Sequence, residues 1–354
     1  MDKAIYEEKL SSDLNLAIKM ICDEMIESPI SILLCGGYGR GEGSWFFQKG
    51  ILRPYNDYDF AIITDNPLST EKTNQLRKKI ADEVGIKWID IDFYSLQAIS
   101  CLKPSIHNYD LAFGSRVIYG DPRIKEKIKK ISSEEISKSD IIILYKTRIW
   151  TFLGSWAGDF HRLNEEEGCF FRYQMAKAVL AACDMILIKE KRYESSYINR
   201  ANICMDIFEN DIEKKNLIKF AITEKLTPLY KQMEKEEMID LYERCKSFFI
   251  FAFKNSLGTE AMFYLNPLMT CLKEKYSFLN LLRIFKHMFS GNVAIITKPC
   301  DVFLAQNYVF HSINNKTSYI KKANRIMKRW KYCKQKSQDL FRVKDVVAFA
   351  RNND

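Results

Sequence analysis

The first third of the chain alternates short apolar runs with amphipathic stretches, a pattern typical of an α/β fold. Apolar residues at every third or fourth position indicate helices, and short apolar runs that end at turn residues indicate strands. Ser69 or Thr70 is the predicted N-cap of the second helix. The predicted elements, in chain order, are a helix over 10–27, strands over 30–35 and 57–64, a helix over 69–84, and strands over 87–94 and 116–119.

Helical periodicity dominates after about residue 139, where glycine and proline are sparse. Helices are predicted over 140–160, 169–190, 209–235, 236–256 and 268–289, while 291–310 fits either strands or a helix. The pattern therefore predicts an α/β plus α protein, in which a mixed sheet with flanking helices precedes a mostly α-helical domain. The predicted boundaries are 1–125 for the first domain, 139–315 for the helical domain and 316–354 for a basic C-terminal segment.

Charge and length add to this picture. A chain of 354 residues is long enough for two domains, and a hydrophobic fraction of 47% excludes a disordered protein. The net charge of +9 favours anionic partners, although a lysine-rich soluble protein explains it equally well. Between Lys316 and Lys344 lie eleven basic residues and one acid, so this segment either contacts a polyanion or forms a solvated helix face.

The cysteines and the apolar runs indicate the cellular compartment. None of the ten cysteines forms a C-x-x-C pair, so a zinc site is not expected. The first ten residues are charged and lack the apolar core of a signal peptide. No apolar run approaches the roughly 20 residues that span a bilayer. We therefore expect a cytoplasmic protein with reduced cysteines and no transmembrane segment.

Candidate chemistry is concentrated between the first two predicted strands. Gly36 and Gly37 follow the first strand. Because glycine has no Cβ, the backbone at these residues can approach a phosphate closely. Their N–H groups, together with the N-terminus of a following short helix, could hold phosphates. Asp57 and Asp59 are two residues apart at the start of the second strand, so their side chains point to one face. Two convergent carboxylates suit Mg²⁺ or Mn²⁺, which prefer oxygen ligands.

A third carboxylate is expected from the neighbouring strand. Asp90 and Asp92 both fit, because they also share one face of the strand over 87–94. We favour Asp92, which stands nearer the exit of the strand and precedes two large apolar residues, and keep Asp90 as the alternative.

The segment from Leu33 to Thr64, with GGYGRGE followed by NDYD, resembles the DNA polymerase β-type nucleotidyltransferase superfamily. It is especially similar to the catalytic domain of the bacterial protein uridylyltransferase. The resemblance implies metal-dependent transfer of a nucleoside monophosphate from a nucleoside triphosphate (NTP) to an acceptor hydroxyl or phosphate, with release of pyrophosphate. Residues 43–54 look like an insertion relative to that family, and none of the four histidines precedes an aspartate, so a role in nitrogen regulation does not follow.

Two basic residues are further candidates for the nucleotide site. The resemblance implies that a lysine of the helical domain reaches the triphosphate, and Lys177 is the candidate; a solvated helix face is the alternative. Arg40 either contacts phosphate or forms a local ion pair with Glu42. The acceptor stays open among a small molecule, a protein and RNA. The rival hypothesis is a catalytically degenerate nucleotide- or RNA-binding regulatory module, against which the intact acids argue.

Overall fold

The computed structural model describes residues 3–48, 51–155, 162–265 and 310. The helix predicted over 268–289, the ambiguous stretch over 291–310 apart from Phe310, and the basic segment over 316–354 lie outside these residues.

The described residues form helices and strands in the order that the sequence predicts, with additional short elements. The strands are β1 (Ser31–Leu34), β2 (Trp45–Gln48), β3 (Ile51–Pro54), β4 (Tyr58–Ile63), β5 (Ile89–Tyr94) and β6 (Arg116–Gly120). The helices are α1 (Lys3–Glu24), α2 (Gly36–Gly39), α3 (Thr70–Val84), α4 (Leu96–Ser100), α5 (Ile106–Gly114), α6 (Ile124–Lys127), α7 (Lys138–Ser155), α8 (Glu165–Lys189), α9 (Tyr197–Ile207), α10 (Ile212–Leu226), α11 (Lys235–Leu257) and α12 (Ala261–Leu265).

Four of the six strands form a mixed sheet in the order β5-β4-β1-β6. β1 runs antiparallel to both β4 and β6, whereas β4 and β5 are parallel, with Asp59 opposite Asp90 and Ala61 opposite Asp92. The predicted mixed sheet is therefore confirmed. The predicted helix over 69–84 is also confirmed, and Ser69 is its N-cap, since its hydroxyl accepts a hydrogen bond from the Lys72 amide at 3.3 Å.

One face of this sheet is covered by α1 and α3. Apolar residues of α1 and α3 pack against β1, β4 and β5 in one core. The buried members of that core on the three strands are Ile32, Leu34, Tyr58, Phe60, Ile62, Ile89 and Ile91. Because side chains alternate along a strand, the residues between them, among them Asp59 and Asp90, point to the opposite face. The helices α1 and α3 therefore do not cover the face of the sheet that carries Asp59 and Asp90, here the acidic face.

The stretch interpreted as an insertion forms a hairpin. β2 and β3 pair antiparallel, with Trp45 opposite Pro54. Trp45 is buried and its ring lies edge-on to Tyr38, with the ring centroids 5.6 Å apart. The sequence did not predict this hairpin, because the run of aromatic residues lacks the strict alternation of a half-buried strand.

The chain divides into two compact units. The first, here the N-terminal unit, comprises residues 1–140, 190–215 and 222–229. The second, here the helical unit, comprises 141–189, 216–221 and the described residues from 230 onward. This division differs from the predicted boundaries, because α9 and both ends of α10 belong to the N-terminal unit although they lie within the region predicted as a separate helical domain.

The helical unit has its own core. α8 and α11 pack along each other, and seventeen residues of α8 are buried, as expected for a helix that is apolar on most of its circumference. Aromatic rings of α7 and α11 stack, with the centroids of Tyr145 and Phe253 4.0 Å apart. The helical character of this part of the chain is therefore confirmed. Within the described residues, no helix has both the length and the apolar content needed to cross a bilayer.

Candidate active site

Three carboxylates meet on the face of the sheet opposite α1 and α3. Asp57 lies in the turn before β4, Asp59 is the second residue of β4, and Asp90 is the second residue of β5. Each offers one oxygen, and these oxygens all lie within 4.8 Å of one another. The parallel register brings this about, since Asp59 and Asp90 are directly opposite in the two strands.

The structure brings Asp90, and not Asp92, to the Asp57–Asp59 pair. Asp92 lies opposite Ala61, two residues further along β5, and it is exposed. Two residues of strand correspond to about 6.6 Å. Our preference for Asp92 rested on its position near the exit of the strand. In a parallel pair, however, the two strands begin at the same end, so the acid near the start of β5 meets the acids near the start of β4.

Gly36 makes room for one of these acids. Its φ is +60°, a left-handed conformation that glycine adopts without a steric cost, and it begins α2 directly after β1. A Cβ on this residue would lie 1.8 Å from Oδ2 of Asp59. Gly37 is less tightly confined, since its Cβ would lie 3.2 Å from the carbonyl oxygen of Glu42. Gly36 therefore packs the turn against the acidic group, and Gly37 packs against the backbone that follows.

The electrostatics of the acidic group favour a cation. Burial and, after it, the negative charges of Asp57 and Asp90 raise the pKa of the Asp59 carboxyl to about 7, while Arg40 and Lys225 partly offset these effects. Cys35, the residue before Gly36, stays a neutral thiol, because burial raises its pKa to about 12. Near neutral pH the Asp59 carboxyl is therefore only partly ionised, and a bound cation would favour its ionised form.

The residues present fit a hard divalent ion. Carboxylate oxygens are the ligands that Mg²⁺ and Mn²⁺ prefer, and the like-charge repulsion within the group is relieved by a divalent cation. The group offers only carboxylate oxygens and no thiolate or imidazole, so the donor set does not favour zinc. Metal binding by Asp57, Asp59 and Asp90 is the interpretation that this donor set supports.

Arg40 lies in a buried ionic network. Its side chain is 5% exposed, and its guanidinium lies 3.1 Å from Asp110 and 3.4 Å from Glu42. Its Cζ also lies 4.4 Å from the centroid of the Tyr197 ring. The structure thus realises the local ion pair between Arg40 and Glu42 that the sequence left open, and a contact of Arg40 with phosphate stays a prediction.

Glu42 connects the glycine turn to α9. Its carboxylate accepts hydrogen bonds from the Ser196 hydroxyl at 2.6 Å and from the amides of Tyr197 and Ile198 at 2.8 and 3.1 Å. These amides lie in the first turn of α9, where backbone N–H groups have no partner within the helix. A carboxylate at this position also interacts favourably with the helix dipole. Glu42 therefore caps a helix that is about 150 residues distant in sequence.

Two lysines bear on the nucleotide site, one predicted from the sequence and one not. Lys177 lies on α8 in the helical unit, with its amine 5.2 Å from the centroid of the Tyr173 ring, and its contact with a triphosphate stays a prediction. Lys225, which sequence reasoning missed, belongs to the N-terminal unit, is buried, and lowers the pKa of Asp59 through its charge. Its position near the end of α10 gives no motif from which this proximity could have been predicted.

Comparisons with known proteins give a match by structure and none by sequence. No protein-family profile and no curated protein match the chain. Among solved structures, the chain is similar to the crystal structure of spectinomycin adenyltransferase AAD(9) from Enterococcus faecialis with ATP and spectinomycin. The TM-score is 0.40 and the sequence identity 14%, over 66% of this chain and 98% of that chain. A likeness at this level does not by itself identify the activity of this protein.

Proposed function

We propose that the protein is a nucleotidyltransferase, which transfers a nucleoside monophosphate from an NTP to an acceptor hydroxyl or phosphate and releases pyrophosphate. The observation that carries this proposal is the convergence of Asp57, Asp59 and Asp90 beside the glycine turn at Gly36 and Gly37. Carboxylates that hold divalent metal ions next to a glycine turn are suited to phosphoryl chemistry, because the negatively charged triphosphate is attracted by the ions and approached by backbone amides.

Each residue of the site has a separate task in this proposal. Asp57, Asp59 and Asp90 would hold Mg²⁺ or Mn²⁺, which when bound neutralises charge on the phosphates. Gly36 and Gly37 admit the triphosphate close to the backbone. Lys225 adds a positive charge on the same side as Asp59. The assignment of these tasks is supported by proximity and charge in the N-terminal unit.

The reaction proceeds by in-line displacement at the α-phosphorus. The acceptor oxygen forms a bond to the α-phosphorus, and the bond from that phosphorus to the oxygen bridging the β-phosphate breaks, so pyrophosphate leaves with the electron pair. In this proposal the acceptor proton passes to Asp90, whose carboxylate belongs to the acidic group formed with Asp57 and Asp59. An acceptor hydroxyl is a poor nucleophile while protonated, so loss of this carboxylate slows transfer.

Two radiolabels on the nucleotide test the proposal. The four NTPs, each labelled at the α- or the γ-phosphate, are incubated with Mg²⁺, the protein and a cell extract as the source of acceptors. We expect the α-label on an acceptor and the γ-label in pyrophosphate, with neither product from the Asp57→Asn/Asp59→Asn variant. Transfer of the γ-label would indicate a phosphotransferase. Metal-dependent NTP binding without any transfer would favour the regulatory-module hypothesis.

A further inference from the structure

The three acids of the site are held in place by different means. Asp59 packs against Gly36, which leaves its carboxylate little room to turn. Repulsion by Asp57 and Asp59 favours rotation of the Asp90 side chain away from them. A carboxylate that completes a metal site or accepts a proton works only when its orientation is fixed. Asp90 therefore needs a partner that holds it toward the other two acids.

That partner is Trp88, the residue before β5. Its indole Nε1–H donates a hydrogen bond to Oδ1 of Asp90 at 2.7 Å. Residues 88 and 90 lie on the same face of the strand, so the bond runs along the acidic face. Trp88 therefore donates to only one of the two carboxylate oxygens of Asp90. A charge-assisted hydrogen bond of this length fixes the rotation of the carboxylate.

Trp88 is itself held by α3. The guanidinium carbon of Arg77 lies 5.8 Å from the centroid of the Trp88 ring. Arg77 also donates a hydrogen bond to the carbonyl oxygen of Ile91, at 2.5 Å, so it is fixed to the same strand. The Trp88 side chain is nevertheless 46% exposed. Half-exposed aromatic side chains are common at protein surfaces, so it is the hydrogen bond to Asp90 that connects Trp88 to the site.

We propose that Trp88 is a positioning residue, which orients Asp90 for metal binding and proton transfer through its indole N–H. This inference rests on the proposed function, because it assigns Trp88 a task only if Asp90 acts in the site. Arg77, in turn, keeps the indole beside the acid. Outer groups of this kind commonly change metal affinity or activity by about 10–100-fold when they are removed.

A double-mutant cycle on Mn²⁺ affinity tests the proposal. The full-length protein and the variants Trp88→Phe, Asp90→Asn and Trp88→Phe/Asp90→Asn are titrated with Mn²⁺ by calorimetry. Trp88→Phe keeps an aromatic ring and loses the donor, so we expect affinity to fall about tenfold. In the Asp90→Asn background the same change should have no further effect, because Trp88 acts through Asp90. Additive losses would overturn the positioning role.

Further variants separate positioning from a general effect on folding. Trp150→Phe makes the same substitution in α7 of the helical unit and should leave Mn²⁺ affinity unchanged. Trp88→His restores a ring N–H and should recover part of the lost affinity. In turnover, Trp88→Phe should lower kcat while the KM for NTP stays within about twofold of the wild type.

The outcomes also separate the two proposals. Wild-type protein that binds no Mn²⁺ would contradict the proposed function itself. If the wild type binds Mn²⁺ and Trp88→Phe binds it with the same affinity, only the role of Trp88 is contradicted.

Discussion

Two clusters of charged side chains lie in the N-terminal unit, and they are built on opposite principles. The acidic group gathers like charges, which helps to raise the pKa of Asp59 to about 7. The network around Arg40 instead pairs each charge with an opposite one, since Arg40 contacts Asp110 and Glu42. The first arrangement costs folding free energy and the second offsets the cost of burying its charges.

This difference favours the acidic group over the Arg40 network as a cation site. The charges around Arg40 are already compensated by opposite charges within the protein, so an added ion gains less there. A group of repelling carboxylates is satisfied only by something that the protein binds, and groups with strongly shifted pKa values are concentrated at functional sites. Arg40 belongs to such a compensated network, and its contact with phosphate stays a prediction, whereas Asp59 belongs to the acidic group.

The largest effect is expected from Asp59→Asn. The change keeps the side-chain volume and removes one charge from the acidic group, so nucleotidyl transfer should fall by a factor on the order of 10²–10⁴. Pyrophosphate release in the presence of Mg²⁺ measures it. The same substitution should not destabilise the metal-free protein, because it removes a buried, repelled charge. Turnover equal to that of the wild type would exclude Asp59 from the reaction.

A smaller effect, on stability, is expected from Glu42→Ala. The substitution leaves Arg40 with one carboxylate fewer and leaves two amides of α9 uncapped. We expect the free energy of unfolding to decrease by about 2–4 kcal/mol, measured by urea denaturation. Glu83→Ala, an exposed glutamate of α3, is the matched control and should change it by less than about 0.5 kcal/mol. Equal decreases in the free energy of unfolding for both substitutions would contradict the stabilising role of the Arg40 network.

The smallest effect concerns pH. The pKa of Asp59 is about 7 in the folded protein, whereas an aspartate of the unfolded chain titrates near about 3.9. The folded state therefore binds more protons between these values, and this carboxyl makes the metal-free protein less stable as pH rises from about 4 to about 7. After allowance for solvent screening, we expect a loss of about 1–3 kcal/mol.

The measurement compares wild type with Asp59→Asn by thermal denaturation in EDTA. The stability advantage of the variant should grow from pH 4 to pH 8 and should vanish when Mg²⁺ saturates the wild type. A constant difference across this range would mean that Asp59 titrates normally.

Much of the fold follows from local patterns. Each predicted strand of the sheet coincides with an observed one, because buried strands between turn residues leave a clear apolar signal. The hairpin of β2 and β3 gave no such signal, since its aromatic residues do not alternate with polar ones. Likewise, nothing local indicates that α9 belongs to the N-terminal unit, because the cap that Glu42 provides joins positions far apart in sequence.

The site could be predicted only in part, because some of its residues meet through contacts between distant parts of the sequence. Asp57 and Asp59 follow from spacing alone, whereas the third acid depends on the register between β4 and β5. In the observed strands Asp59 and Asp90 are each the second residue, but the predicted strands begin one and two residues earlier, so counting from their starts does not pair these acids. Lys225 and Asp110 approach the site only through tertiary packing, and no motif surrounds either of them.

A direct comparison of Asp90→Asn with Asp92→Asn tests the central claim, that Asp57, Asp59 and Asp90 form the metal site of a nucleotidyltransferase. Both substitutions remove one charge from β5, and the two positions differ in whether the acid faces the Asp57–Asp59 pair. Mn²⁺ affinity is measured by calorimetry and pyrophosphate release by a coupled assay. We predict that Asp90→Asn lowers Mn²⁺ affinity at least tenfold and turnover by about 10²-fold or more, while Asp92→Asn changes each by less than about threefold. The reverse pattern, or wild-type behaviour of both variants, would contradict the account.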